Sequence, residues 1–308
     1  MCPELFITGT GVLTCLGSSL QTTVAALAAG RRVEGKSYSF LAGTPYAALS
    51  VAPPAEPGIT AHIRDKRIHK FMSRQAELAA VAARQALAQS SPLARGIRPE
   101  RIGLYAGVGL TAMDMDGSVS FLRKSFGEDG AFSHNAFTQK GLRAIHPLWS
   151  FHSLANMPAC IVSVLEGIKG DNGLYTPWED QSAFALIEAA HALGRGDIDC
   201  AVVLASDTPS HPASLVELAR AGYLAPTEIA ADGAACLVLE RSETAPPSRR
   251  LKNMDLVFTG APLHDPLASF IGRTVAAAPL LLVALADACG VPCRLTGCGG
   301  HGFSFEAV

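Results

Sequence analysis

The sequence has few charged side chains. Charged residues make up 17% of the 308 residues and hydrophobic residues 49%, whereas a soluble domain usually carries about 25% charged residues. This composition excludes a disordered chain, and we expect a large interface to cover part of the apolar surface. The formal net charge is -2, so no net positive field is available to hold a phosphate backbone. Nucleic-acid binding is therefore not expected.

Long apolar segments are also absent. The longest apolar run, 275–286, is shorter than the ~20 residues that a membrane-spanning helix needs, and Pro279 interrupts it. The first residues, MCPELFITGTG, lack the cationic start and the apolar middle of a secretory signal. We therefore expect no membrane span and a cytoplasmic location.

Several motifs of metal and hydrolase chemistry are missing. The eight cysteines form no paired CxxC knuckles, and no two histidines have HExxH spacing. We therefore predict free thiols and expect neither a metal nor another cofactor. GxSxG does not occur either, which disfavours the nucleophile elbow of α/β-hydrolases.

Two glycine-rich segments resemble dinucleotide-binding turns. The first, ITGTGVLTCLG, has Thr14 where a third small residue is required. The second fits GxGxxA at Gly107, Gly109 and Ala112, but MDMDGS follows where a helix should begin. A nicotinamide-dependent dehydrogenase is thus an alternative that depends on glycines alone, and it predicts nicotinamide binding.

Short apolar runs alternate with long helical patterns, which predicts an α/β layered fold. The strands are predicted at 5–11, Arg101–Gly109, Cys200–Ser206 and Ala234–Glu240. The helices are predicted at Arg74–Gln89, Ala159–Lys169 and Ser182–Leu193. The last of these is apolar almost all round, so we expect it to be buried.

A polar, proline-rich segment, SETAPPSRRLK, follows Glu240 and predicts a boundary between residues 1–245 and 246–308. The second part is too small to form a core alone, so it must pack on the first. It is expected to contain a strand at Met254–Thr259, a helix at Ser269–Cys289 interrupted at Pro279, and short strands in CRLTG and GFSFEAV.

The segment 156–206 resembles the β-ketoacyl synthases of the thiolase superfamily. EGIKGDN is similar to the family's G-x-K/R-G-P-N, and GRGDIDCAVVLAS to the G-x-x-D that precedes its next strand. FITGTGVLTCLG, ADGAACLVLE, DPLASFIGRTVAAAP and TGCGGHGFSF resemble further family segments in the same order. The resemblance implies a thiolase-like layered αβαβα fold with a truncated C-terminal half.

The resemblance also implies that the family's chemistry is lost. The family's acylated cysteine, placed at the start of a buried helix, aligns with Glu179. Its two histidines align with Val257 and Arg273, and its lysine with Ala268. A carboxylate cannot carry an acyl chain between thiols, and valine and alanine side chains donate no hydrogen bond. No catalytic residue is therefore expected, and Glu179 is expected to make a structural hydrogen bond or ion pair, for example with Arg273.

Ketosynthase-like subunits that lack catalytic residues and pair with an active ketosynthase are the chain length factors of type II polyketide synthases. This sequence resembles them, and its short tail and Glu179 suggest the branch associated with aryl polyene pigments. The implied partners are an active ketosynthase and an acyl carrier protein, which the basic run Arg64–Lys70 could contact. A solvated helix start is the other meaning of such a run.

The resemblance further implies an interface and a tunnel. The strand at 171–176 would pair with its counterpart in the partner, which assigns Asp171, Asn172 and Tyr175 to the interface. The segment that closes the partner's acyl tunnel would contain Trp149, Phe151 and His152, although Trp149 could equally be ordinary interface packing. Cys298 takes the place of the family's gatekeeper phenylalanine.

One alternative keeps the fold but makes the chain an enzyme by itself. It would be a malonyl-carrier decarboxylase or an acyltransferase that uses Glu179, His264 or His301. This alternative predicts a homodimer with turnover.

Overall fold

The computed structural model describes residues 4–56, 58–110, 115–241, 249–261, 264–297 and 300–307. The strands are β1 (Leu5–Leu13), β2 (Ser50–Ala52), β3 (Ile102–Val108), β4 (Asn172–Tyr175), β5 (Cys200–Asp207), β6 (Ile229–Ala231), β7 (Gly233–Glu240), β8 (Arg249–Phe258), β9 (Arg294–Thr296) and β10 (His301–Ala307). The α-helices are α1 (Leu20–Ala28), α2 (Ile59–His62), α3 (Lys66–His69), α4 (Arg74–Ser90), α5 (Met115–Arg123), α6 (His134–Ala136), α7 (Trp149–Ser153), α8 (Met157–Glu166), α9 (Gln181–Arg195), α10 (Pro212–Arg220), α11 (Ala268–Ile271) and α12 (Ala278–Cys289).

Eight strands form one mixed sheet in the order β4-β3-β5-β7-β1-β8-β10-β9. Strand β3 pairs in parallel with β4 and β5, and the other neighbouring pairs are antiparallel. Strands β2 and β6 form a second, parallel sheet. The first part of the chain supplies five adjacent strands of the large sheet and the tail supplies three. They join where β1 pairs with β8.

Helices cover both faces of the sheet. Every residue of β3, β5 and β7 is buried, as expected for strands with helices on both sides. Successive residues of β5 face opposite cores, so that Val203 packs in the cluster that contains α9 and α12, and Val202 in the cluster that contains α4 and α8. These two layers place α9 in the interior, where the start of the helix forms the candidate site.

The predicted central elements are confirmed. Strands β1, β3, β5 and β7 and helices α4, α8 and α9 lie within a few residues of the predicted ranges. The two short strands of the tail are also present, as β9 and β10. The buried apolar runs favour these elements because burial removes their side chains from water. Helices and paired strands also hydrogen-bond the peptide groups that are buried with them.

The single interrupted helix predicted at 269–289 is wrong. The chain instead forms the short α11 and the longer α12, separated by residues 272–277, which are not helical. Gly272 ends α11 with a φ of 80°, a conformation that favours glycine. Pro279 lies in the first turn of α12, where a missing N–H costs nothing. The proline therefore begins a helix and does not interrupt one.

The tail packs on the first part of the chain, as predicted. Helix α12 contacts α9, β7 and β1, and residues of both parts share one apolar cluster. The predicted division between 1–245 and 246–308 falls within residues 242–248, outside the described residues, and stays a prediction.

The cysteines that the structure describes are free thiols, as predicted: Cys15, Cys160, Cys200, Cys236, Cys289 and Cys293. Among the described helices, none combines the length and apolarity that crossing a membrane requires.

Candidate functional site

Glu179 lies in the interior, in the short connection between β4 and α9. Its side chain is 1% exposed, and the next residue, Asp180, is the N-cap of the 15-residue helix α9. The N-terminal end of a helix carries a partial positive charge, which favours a carboxylate at this place. Glu179 therefore stands at the helix start where the resemblance places the family's nucleophile.

Arg273 is the ion-pair partner of Glu179. Its side chain is fully buried, and its guanidinium contacts the Glu179 carboxylate. The backbone of Arg273 is fixed beside β6, because its N–H donates to the Ile229 carbonyl at 2.7 Å and its carbonyl accepts from the Ala231 N–H at 2.9 Å. The expected ion pair between Glu179 and Arg273 is thus present.

A second carboxylate, Asp265, completes this cluster. Its Oδ2 lies 3.1 Å from Nη1 of Arg273, and its Oδ1 accepts from the Leu267 N–H at 2.9 Å. Burial raises the pKa of Asp265, whereas the adjacent guanidinium stabilises the ionised form of this carboxylate. We call Glu179, Arg273 and Asp265 the buried ionic cluster. The cluster contains no thiol or hydroxyl that could carry an acyl group.

The other two substituted positions lie in different surroundings. Ala268 begins α11, and its N–H donates to the Asp265 carbonyl at 3.2 Å, so it adjoins the cluster through the backbone. Val257 lies on β8 opposite Gly302 and is 47% exposed. The structure thus brings Glu179 and Arg273 together, leaves Ala268 at the edge of the cluster, and places Val257 on an exposed part of the sheet.

His301 and Asp180 form a pair that borders the buried ionic cluster. Nδ1 of His301 lies 2.8 Å from Oδ2 of Asp180, and the imidazole meets Phe184 and Phe258 edge-on, at 5.6 Å between ring centroids in each case. Sequence reasoning considered His301 but missed Asp180. The two residues are 121 positions apart in the sequence, so no local motif could indicate their contact. Only the packing of β10 beside the start of α9 could have indicated it.

The turn between β9 and β10 lies against Glu179. A Cβ atom added to Gly297 would be 3.5 Å from the Glu179 side chain, and the Gly297 N–H donates to the His301 carbonyl at 2.8 Å. Cys298, predicted at the gatekeeper position, lies outside the described residues. His264, the other histidine considered, is exposed and exchanges backbone hydrogen bonds with Thr296.

The predicted interface strand lies at the edge of the large sheet. Strand β4 has β3 as its neighbour and ends the strand order. Asn172 is exposed and Leu174 is 38% exposed, while Tyr175 stacks on Phe184 at 6.4 Å. Asp171, just before the strand, accepts a hydrogen bond from the Tyr105 hydroxyl at 3.0 Å. The other edge of β4 is therefore available for pairing in this structure.

Apolar surface continues beside β4. Val164 of α8 is 74% exposed, and a cavity of about 290 Å³ lies between α8 and β4. The segment 115–154 adds further exposed apolar side chains, namely Val119, Leu122, Phe126, Phe132, Leu142, Phe151 and Leu154. Exposed apolar area of this extent is typical of an interaction surface.

The three residues predicted at the tunnel end lie on helix α7, and each contacts its own chain. Nε1 of Trp149 donates to the Ser118 hydroxyl at 3.1 Å, and its ring meets Phe121 edge-on at 5.6 Å. Phe151 meets Phe71 edge-on at 5.4 Å, and Nε2 of His152 lies 2.9 Å from the Lys70 carbonyl oxygen. The Trp149 indole is therefore held in place without a partner chain.

The basic run Arg64–Lys70 is a short surface helix. Asp65 caps α3, and its carboxylate binds the Arg67 guanidinium at 3.0 and 2.9 Å. These contacts hold the pKa of Asp65 low, at about 2. Arg64, Lys66 and Lys70 are exposed, so both interpretations of the run stay open.

The glycines that suggested dinucleotide binding have packing roles. A Cβ atom on Gly107 would collide with the Ser182 backbone of α9, and one on Gly109 would collide with the Asp207 carboxylate. A buried carboxylate at this place repels a phosphate. The expectation that no helix follows was wrong, because α5 begins at Met115, while Ala112 lies outside the described residues.

Asp207 is itself held in the core. Its Oδ2 accepts from the N–H groups of Val275 and Ala276 at 2.8 and 2.7 Å. Burial raises the pKa of this carboxyl to about 7, and these two amides oppose the rise. Asp207 thus links the end of β5 to the segment that follows Arg273.

Comparison with known proteins agrees with this arrangement. Residues 4–245 match the family described as Beta-ketoacyl synthase, N-terminal domain. A 3-oxoacyl-[acyl-carrier-protein] synthase 2 of Staphylococcus aureus (strain N315) is 26% identical over 223 residues, which are 72% of this chain and 49% of that protein. The chain therefore spans about half the length of the curated relatives it matches.

Solved structures share the fold. A type II PKS acyl-carrier protein in complex with its ketosynthase bound to the hexaketide gives a TM-score of 0.75 at 15% identity, with 100% of each chain covered. The ishigamide ketosynthase/chain length factor gives 0.63 at 19% identity, with 94% of this chain and 74% of that chain covered. The thiolase-like fold predicted from the sequence is confirmed, and the chain belongs to the β-ketoacyl synthase family.

Proposed function

We propose that this chain is a non-catalytic chain length factor, which forms a heterodimer with an active ketosynthase and shapes the acyl tunnel of that partner. The observation that carries the proposal is the buried ionic cluster. The resemblance assigns Glu179 to the family's nucleophile position and Arg273 to one of its histidine positions, and Arg273 binds the Glu179 carboxylate. Neither residue can accept an acyl group as a thioester.

The cluster also argues against independent chemistry at this site. A carboxylate that acts as a general base must reach its substrate, but Glu179 is 1% exposed and bound to Arg273. A malonyl-carrier decarboxylase or an acyltransferase on the same fold is the alternative function, and an experiment must distinguish it from a chain length factor.

The edge of β4 and the adjoining apolar surface support the heterodimer. Strand β4 ends the sheet, and Leu174 and Val164 expose apolar area beside it. We propose that β4 pairs antiparallel with the corresponding strand of the ketosynthase, as a strand at an open edge can do. Asp171, Asn172 and Tyr175 would then lie at the interface.

The tunnel role is assigned to α7. We propose that Trp149, with Phe151 and His152, limits the length of the chain that grows in the partner's tunnel, because side-chain volume sets the depth of a closely packed cavity.

We further propose that an acyl carrier protein delivers the substrate, that the complex acts in the cytoplasm, and that its product belongs to the aryl polyene class. Glu179 at the family's assigned nucleophile position supports the aryl polyene assignment.

The test is a tagged pull-down from the native host, followed by native mass spectrometry of the eluted protein. The proposal predicts a one-to-one complex with a ketosynthase that has a cysteine nucleophile. A homodimer that decarboxylates a malonyl carrier, and that loses this activity on Glu179→Ala, would refute the proposal and establish the alternative.

A further inference from the structure

A cleft with an excess of positive charge lies apart from the residues of the buried ionic cluster, none of which lines it. It has a volume of about 380 Å³ and is formed by the turn after β1, the segment after α1 and the end of β2. Its lining residues are Cys15, Leu16, Arg31, Arg32, Glu34, Gly35, Lys36, Ala52 and Pro53. We call this the cationic cleft. Its volume is within the range of ~300–1,000 Å³ that is common for small-molecule sites.

Three cations and one carboxylate line the cationic cleft. Within the described ranges, Arg31 and Lys36 have no carboxylate at ion-pair distance, and Glu34 has no cation at that distance. The positive charges are thus not neutralised by neighbouring side chains. The lining has an excess of two positive charges, which matches the charge of about -1.5 to -2 on a phosphate monoester at pH 7.

The cations are placed by local structure. The Arg32 guanidinium lies over the Phe270 ring at 4.5 Å and donates to the Arg31 carbonyl at 2.8 Å. Lys36 is fixed through its backbone, which exchanges two hydrogen bonds with Val51 at 3.0 and 2.9 Å. These contacts fix the Arg32 guanidinium and the Lys36 backbone at the cleft, while the exposed Arg31 and Lys36 side chains can reach a bound anion.

The remaining walls are apolar and chemically inert. Leu16, Ala52 and Pro53 offer apolar surface, and the Cys15 thiol donates to the Ile271 carbonyl at 3.2 Å. Burial raises the pKa of Cys15 to about 11, so the thiol stays protonated and adds no negative charge. These walls suit a small organic group attached to the anion.

We propose that the cationic cleft binds a phosphate monoester, with Arg31 and Lys36 at the phosphoryl group and the organic part against Leu16 and Pro53. Arginine and lysine form charge-assisted hydrogen bonds with phosphoryl oxygens. This site is separate from the proposed interface at β4, and it does not depend on the chain length function.

The test is calorimetric titration of the purified chain with inorganic phosphate and with phenyl phosphate at 0.15 M salt. We expect saturable binding of both, tighter for phenyl phosphate, because its ring covers the apolar walls. Stronger binding of inorganic phosphate than of phenyl phosphate would overturn the role of the organic group. Absence of saturable binding of either probe would overturn the site.

Charge variants test the assignment by the direction of their effects. Arg31→Gln and Lys36→Gln should each weaken phenyl phosphate binding by about tenfold, whereas Glu34→Gln should strengthen it. Arg123→Gln removes an exposed cation from α5 and should leave binding unchanged. A similar loss in Arg123→Gln, or no change in either cleft cation variant, would contradict the proposal. Because all four side chains are exposed, circular dichroism should show the wild-type fold in each variant.

Discussion

At the scale of single residues, the buried ionic cluster places three charged side chains in the interior. A charge removed from water is costly unless an opposite charge compensates it. Glu179 and Asp265 together compensate Arg273, whose side chain is fully buried. The two carboxylates and the guanidinium carry one net negative charge, so loss of Arg273 leaves two buried carboxylates without that cation, whereas loss of one carboxylate removes hydrogen-bond acceptors from the buried guanidinium.

Glu179→Ala tests this dependence. The variant removes one of the two carboxylates that bind the buried guanidinium and leaves its N–H groups without that acceptor, so we expect the free energy of unfolding to fall by about 3 kcal/mol, measured by urea denaturation. Glu188→Ala, on the exposed face of the same helix near His191, is the control and should change it by less than ~0.5 kcal/mol. Equal effects of the two substitutions would contradict the structural role of the cluster.

Asp207 predicts a dependence of stability on pH. Burial raises its pKa from 3.8 to about 7, so the folded chain holds this proton more tightly than the unfolded chain does. The tighter binding of this proton in the folded chain stabilises the fold. Its contribution to the free energy of unfolding is at most ~4 kcal/mol, is fully present below pH 4 and is lost as the pH rises to 7.

Asp207→Asn removes this titration. Between pH 4.5 and pH 7.5, the unfolding free energy of the variant should fall less than that of the wild type, in urea denaturation at both pH values. Asp255→Asn, at an exposed position of β8, should retain the wild-type profile. An unchanged profile for Asp207→Asn would show that this carboxyl does not titrate in the fold as described.

The sequence indicated only part of the cluster. The resemblance to the ketosynthase motifs assigned Glu179 to the position of the acylated cysteine and Arg273 to the position of a histidine. Because these two positions belong to one site in the family, an ion pair between the two residues could be predicted. Asp265 begins the segment DPLASFIGRTVAAAP, but its contact with Arg273 was not predicted, because that contact depends on the path of the chain through α11. The contact of Asp180 with His301 was missed for the same reason: β10 reaches α9 only in the folded molecule.

At the scale of elements, the buried strands and helices could be predicted, but the chain between them could not. Continuous apolar runs indicate β5 and β7 because both faces are covered. The break between α11 and α12 was missed because an apolar composition does not distinguish a non-helical segment from a helix. Gly272 and Pro279 determine the break through their backbone geometry.

The edge of β4 can be tested by one substitution. Leu174→Lys places a charge on the proposed interface strand, and desolvation of that charge should reduce heterodimer formation by at least about tenfold. Size-exclusion chromatography of the co-expressed subunits measures this. Leu93→Lys, at a leucine that is 44% exposed against 38% for Leu174, is the control. Normal assembly with Leu174→Lys would exclude β4 as the interface.

Helix α7 predicts product length. Trp149→Ala removes the indole that packs on Phe121, so the reconstituted complex should release longer chains, as measured by mass spectrometry of the products. Trp149→Phe keeps a ring in the same place and should give products close to those of the wild type. If both variants give wild-type lengths, Trp149 is ordinary packing and does not limit the tunnel.

At the scale of the whole molecule, the chain combines a family fold with a small second part. The tail supplies three strands and α12, and it packs on the first part through a shared apolar core. The sequence predicted this packing because the tail is too short to fold alone. The sequence could not specify the proposed partner, because residues that a second chain would contribute to the proposed tunnel cannot be deduced from this chain.

The most direct test of the central claim is a reconstitution assay that measures acyl-chain extension on an acyl carrier protein. The proposed function predicts no turnover by this chain alone, and turnover when the ketosynthase recovered with it is added. Glu179→Gln should leave that turnover intact if the variant still assembles. Turnover by this chain without a ketosynthase, abolished in Glu179→Gln, would contradict the account and show that the chain is an enzyme itself.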